Sequence, residues 1–137
     1  MKKAKIGIVG CGMISQFYLE AAQRFRNLEI VACADIIHSR AEAKAAEFGC
    51  RAVSCDDIYT DPEVEIILNL TPPQEHTKVA LRALNAGKHT YSEKPFGVDL
   101  EDARKVYALG KEKGLRVGCA PDTFLGVYVC GNGCSPI

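Results

Sequence analysis

The stretch Ile6-Gly7-Ile8-Val9-Gly10-Cys11-Gly12-Met13-Ile14-Ser15 decides how the rest of the chain is read. A short apolar run from Lys5 to Val9 meets glycine at Gly10. From Met13 to Asn27 apolar residues recur at helical spacing, through Ile14, Phe17, Tyr18, Ala21, Ala22 and Phe25. The pattern is a strand, a glycine turn and a helix, with G-x-G-x-x-S at Gly10, Gly12 and Ser15. Gly10 permits the tight turn, and Gly12, lacking a Cβ, lets a phosphate approach the backbone. Ser15 is small enough to keep the helix near the sheet. The helix start at Met13 and Ile14 offers unpaired N–H groups and a positive dipole end to an anion.

Working outward, Glu29 to Ala34 is a β-like run ending at Asp35. That acidic residue lies near the separation, about 20 residues, at which a carboxylate accepts hydrogen bonds from an adenosine ribose. A strand before the glycines, a helix after them and an acid at the next strand end make a dinucleotide the expected ligand. Asp35 favours NAD over NADP. Ser39 and Arg40 lie just beyond and could hold a 2′-phosphate, so NADP stays open as the alternative.

The remaining segments repeat the alternation. Helices are expected over residues 39–48, 74–85 and 99–113, closed by Gly49, Gly87 and Gly114, with Asp99 as an N-cap. Strands are expected over residues 51–53, 65–70, 88–92 and 115–118, and a short helix within 54–60. Strands alternating with helices imply an α/β fold, a doubly wound parallel sheet in three αβα layers. The expected strand order is 3-2-1-4-5-6, the NAD(P)-binding Rossmann arrangement.

The 17 basic and 17 acidic residues cancel. No net field favours nucleic acid or an anionic membrane. No apolar run reaches bilayer length, and a cytoplasmic location is expected. The seven cysteines are odd in number and show no C-x-x-C spacing, so neither a disulfide framework nor a metal site is expected.

Three segments resemble the Gfo/Idh/MocA oxidoreductases, the glucose-fructose oxidoreductase and inositol dehydrogenase family. They are the stretch quoted at the start, Asn69-Leu70-Thr71-Pro72-Pro73 with His76 after it, and Ala86-Gly87-Lys88-His89-Thr90-Tyr91-Ser92-Glu93-Lys94-Pro95. Glu93-Lys94-Pro95 matches the E-K-P signature of the family. The resemblance implies an NAD(P)-dependent oxidoreductase passing a hydride between nicotinamide and a sugar, polyol or related small molecule. It implies that Lys94 is catalytic and faces substrate, where an ammonium stabilises a developing alkoxide. It places Thr71, Pro72, His76, Glu93 and Lys94 beside the cofactor, together with Gly10, Gly12, Met13, Ile14 and Asp35. For His76 a structural role at the helix start is an equal alternative.

The resemblance runs from about Lys5 to Gly126, which implies a dinucleotide-binding domain over residues 1–126 and leaves residues 127–137 as a short divergent tail. The family continues into a C-terminal substrate domain, which is absent from the 137 residues. The expectation is a truncated unit, poorly active alone, with self-association through uncovered surface as one option. A non-catalytic nucleotide-binding module or sensor is the alternative function. A methyltransferase on the same fold is a third, which Glu93-Lys94-Pro95 disfavours.

Overall fold

The computed structural model describes residues 2–120, so the expectations for the tail lie outside the described residues. Six strands form one sheet: β1 (Ala4–Val9), β2 (Leu28–Ala34), β3 (Arg51–Ala52), β4 (Ile66–Asn69), β5 (His89–Ser92) and β6 (Val117–Cys119). All pairings are parallel, in the order β3-β2-β1-β4-β5-β6. The expected doubly wound topology is therefore the one observed. Parallel neighbours require crossovers, and the helices supply them: α1 (Met13–Ala22), α2 (His38–Phe48), α3 (Asp57–Thr60), α4 (His76–Asn85) and α5 (Leu100–Glu112). A single 3₁₀ turn, Pro73–Glu75, leads into α4.

The helices divide between two faces. Leu19 of α1 and Ala41 and Ala45 of α2 pack with Ile6, Ile8, Cys33 and Leu68 on one face. Ile58, Tyr59, Val79 and Ala83, from α3 and α4, pack with Val9, Val31 and Ile67 on the other. The opposite fates of Ile67 and Leu68 follow from the two-residue period of a strand buried on both sides. A third cluster joins α4 and α5 through Ala80, Leu84 and Val106. On the α1 face, an open apolar groove of about 520 Å³ runs along Ile66, Leu68, Tyr91 and Val117, flanked by Tyr18 and Phe25.

Helix ends follow their sequence signals. Gly49, which closes α2, has φ 73°, and Gly49 N–H donates to Ala45 O. Asp99 caps α5 by accepting from Glu101 and Asp102 N–H. Helix α1 is shorter than its apolar period predicts. It ends at Ala22, and Arg24 and Phe25 N–H donate only three residues back, to Ala21 and Ala22 O. Phe25 is more than half exposed. The chain must turn there to start β2 at Leu28, and that requirement overrides the continuing apolar spacing. The strands expected at 51–53 and 115–118 are observed over Arg51–Ala52 and Val117–Cys119. No helix of the described residues is long and apolar enough to cross a membrane.

Candidate functional site

The register of the sheet builds the site. Val9 lies opposite Ala34 on one side and Asn69 on the other, Asn69 opposite Ser92, and Ser92 opposite Cys119. The next residue of each strand therefore leaves the sheet side by side at one carboxyl edge: Gly10, Asp35, Leu70, Glu93 and Ala120. The backbone ladder continues into these loops. Gly10 N–H donates to Ala34 O (2.9 Å), Leu70 N–H to Val9 O (2.8 Å) and Glu93 N–H to Asn69 O (2.9 Å). Strand order reverses between β1 and β4, and ligands of open parallel sheets bind outside such a switch point.

The two glycines of the turn serve different needs. Gly10 has φ +101°, and a Cβ there would lie 2.7 Å from the backbone C and O of Leu70. Its lack of a side chain is demanded by the fold. Gly12 has φ −74° and is the N-cap of α1, with no side-chain cap. A Cβ on Gly12 would meet no heavy atom within 4 Å. Nothing among the described residues requires glycine there, whereas a phosphate approaching the uncapped helix start would. The residues present thus fit the pyrophosphate of a dinucleotide. Ser15 is fully buried, and its hydroxyl donates to Gly12 O at 2.6 Å. Met13 is largely exposed and Ile14 partly so.

Asp35 braces this turn from below. Its Oδ2 accepts from Cys11 N–H at 2.7 Å, and its Oδ1 accepts from Ile37 N–H at 2.8 Å. It is only 9% exposed. Each carboxylate oxygen has a second acceptor direction, so the same group can hold the turn and receive a ribose hydroxyl. The flanking Ile36 and Ile37 are exposed aliphatic side chains, and Ser39 and Arg40 lie in the first turn of α2. Cys11 is buried, with Sγ 3.6 Å from Ala34 O, and Cys33 Sγ lies 3.7 Å from Cys50 Sγ. The contact with Cys11, together with burial, pushes the Cys33 thiol up to about 12. These thiols are packing groups rather than nucleophiles.

The opposite half of the edge is held by side chains. Asn69 is fully buried; its Nδ2 donates to His76 O (3.0 Å) and Ser92 Oγ (3.2 Å). Its Oδ1 accepts from the Thr71 hydroxyl (2.6 Å) and Thr71 N–H (3.3 Å). His76 is buried with both ring nitrogens against carbonyls, Nδ1 2.6 Å from Pro95 O and Nε2 2.8 Å from Thr71 O. It ties the loop after β4 to the loop after β5. Pro72 and Lys94 are exposed, and the Lys94–Pro95 peptide is cis. Glu93 Oε2 accepts from Lys94 N–H (3.0 Å), while Glu93 Oε1 accepts from the Tyr18 hydroxyl (2.5 Å). The edge thus brings together Gly10, Gly12, Asp35, Thr71, Pro72, Glu93 and Lys94, with His76 beneath them. Asn69 and Tyr18 carry roles that sequence patterns do not signal. Asn69 lies in a quoted segment without distinction, and Tyr18 reads as one more apolar-face residue of α1.

Residues 4–120 match the family model described as an oxidoreductase family with an NAD-binding Rossmann fold. The chain belongs to this Gfo/Idh/MocA family. Inositol 2-dehydrogenase of Salmonella typhimurium is 33% identical over 117 residues, covering 82% of this chain and 35% of that enzyme. The 1,5-anhydro-D-fructose reductase of Ensifer adhaerens is 31% identical over 114 residues, covering 82% of this chain and 34% of that enzyme. The structure of biliverdin reductase from Synechocystis, in complex with biliverdin and NADP+, superimposes with a TM-score of 0.83 at 28% identity. It spans 91% of this chain and 40% of that one. The chain spans about a third of the length of the curated relatives it matches.

Proposed function

We propose that this chain is the dinucleotide-binding unit of an oxidoreductase acting on a hydroxylated small molecule of the sugar or polyol class. The observation that carries this reading is Gly12: a glycine at a helix start that none of the described residues requires, next to the turn braced by Asp35. Gly12, Met13 and Ile14 hold the pyrophosphate through backbone N–H groups, and Asp35 holds the adenosine ribose. NAD is the cofactor we favour. The carboxylate of Asp35 repels a 2′-phosphate, and the exposed residues that follow it, Ile36 and Ile37, add no cation. When bound, the nicotinamide supplies the hydride acceptor or donor.

The chain's own groups do the rest. The Lys94 ammonium stabilises negative charge developing on a substrate oxygen and gives that oxygen its proton in the reducing direction, while in the oxidising direction the neutral Lys94 amine takes the hydroxyl proton up. Glu93 holds the backbone of Lys94, and the ring of His76 fixes the Pro95 carbonyl just beyond it. His76 is thus a positioning group. The 137 residues span about a third of the curated relatives' length, and we infer that these residues taken alone turn over slowly. Orientation and exclusion of water supply much of a hydride-transfer rate. We place this chemistry in the cytoplasm.

Isothermal titration of the purified chain with NAD+, NADH, NADPH and ADP-ribose tests the reading. Saturable binding of NADH and ADP-ribose, with weaker NADPH, is expected. Absence of binding to every one of these ligands would refute it. A preference for NADPH would leave the fold-level claim standing and overturn the role given to Asp35.

A further inference from the structure

Tyr18 lies outside the glycine signature, yet it is where α1 reaches the far half of the sheet edge. It stands one helical turn beyond Ile14, and its hydroxyl donates to Glu93, 75 residues away in sequence. Glu93 is held through its carboxylate and its backbone. Its Oε1 accepts from Tyr18, its Oε2 accepts from Lys94 N–H, and its own N–H donates to Asn69 O. Only the first of these comes from the β1–α1 half. Tyr18 packs against the buried cluster that includes Ile6, Ile8, Leu19 and Leu68, which sets the side of α1 from which the hydroxyl reaches Glu93. Burial, reinforced by the neighbouring Glu93 carboxylate, pushes the phenol well above its usual range, so it remains a donor.

We propose that Tyr18 is a positioning residue: through its hydroxyl it fixes the carboxylate of Glu93 and thereby the Lys94 backbone, coupling the helix that receives the phosphates to the loop that carries the reacting group. This rests on the dinucleotide reading above. Tyr18 acts through Glu93 and touches neither cofactor nor substrate. A purely structural Tyr18 would contribute only its ring, which phenylalanine reproduces.

The test uses the full 137-residue chain and its Tyr18→Phe, Glu93→Ala and double variants. The probes are NADH and ADP-ribose, which shares the pyrophosphate and both riboses but lacks the nicotinamide. Calorimetry gives both affinities, and thermal melting checks the fold. Tyr18→Phe should weaken NADH by about three- to tenfold while ADP-ribose stays within about twofold. In the Glu93→Ala background, Tyr18→Phe should have no further effect. Equal losses for both probes, no loss for NADH, or independent losses in the double variant would each overturn the proposal. A wild-type chain that binds neither probe refutes the dinucleotide reading itself, and the proposal falls with it. That outcome differs from a wild type that binds both while Tyr18→Phe fails to separate them.

Discussion

The two halves of the carboxyl edge are held in different ways. The β1–α1 turn is a backbone structure: Gly10 takes a left-handed φ against Leu70, and one carboxylate, Asp35, gathers two N–H groups. The β4–β5 side is a side-chain structure, in which Asn69 and His76 satisfy carbonyls, an amide and hydroxyls from three separate segments. The first half depends on what a residue lacks. The second depends on what long-range partners supply. A phosphate needs a bare backbone to approach, whereas a reacting side chain needs its base held still.

The largest break in this comparison is Gly10→Ala. The strained φ and the contact with Leu70 should cost about 3 kcal/mol or more, read by urea unfolding. A cost under about 1 kcal/mol would show that the turn relaxes and that Gly10 is not required by the fold. His76→Ala should cost about 3 kcal/mol, because it removes a buried ring and leaves the carbonyl that accepts its N–H, that of Thr71 or of Pro95, without its donor. If it costs little, the side-chain account of the second half is wrong. Gly12→Ala sharpens the contrast with Gly10. Unfolding should move by no more than about 0.5 kcal/mol. NADH affinity should nevertheless drop roughly tenfold or more, a loss of about 1.4 kcal/mol of contact. Equal damage to stability and binding would remove the distinction between the two glycines.

A smaller effect is read by pH. The Cys33 thiol, beneath the first half, is raised from 9.0 to about 12. A group held protonated by the fold stabilises it fully below the unfolded pKa, and this contribution is lost as pH rises through the folded one. Chemical stability should therefore decline between about pH 9 and 12, and Cys33→Ala should flatten that decline. An unchanged slope in the variant would show that Cys33 is not the group responsible. At pH 8, iodoacetamide should leave Cys33 unmodified in the folded chain, by mass spectrometry.

Much of the first half was legible in the sequence because its determinants are local. Gly10, Gly12 and Ser15 lie within six residues, and Asp35 follows at one strand's distance. A missing Cβ, a helix start and an acid at a strand end carry their meaning without knowledge of what packs nearby. The alternating apolar runs likewise determined the doubly wound order, since right-handed crossovers leave few alternatives. Glu93-Lys94-Pro95 was visible as a pattern, but what holds it was not. Tyr18 and Glu93 are 75 residues apart, and His76 and Pro95 are 19 apart. Only the register of β1, β4 and β5 sets them side by side. Gly10 and Gly12 look alike in the sequence, and tertiary structure alone told them apart: Leu70 crowds the first, and none of the described residues crowds the second. Hydrogen bonds between distant segments exist only once the sheet has assembled, so no local pattern records them. The sequence determined the bare glycine turn and helix start that we propose for a phosphate; the assembled edge decided how the Glu93-Lys94 loop is held beside them.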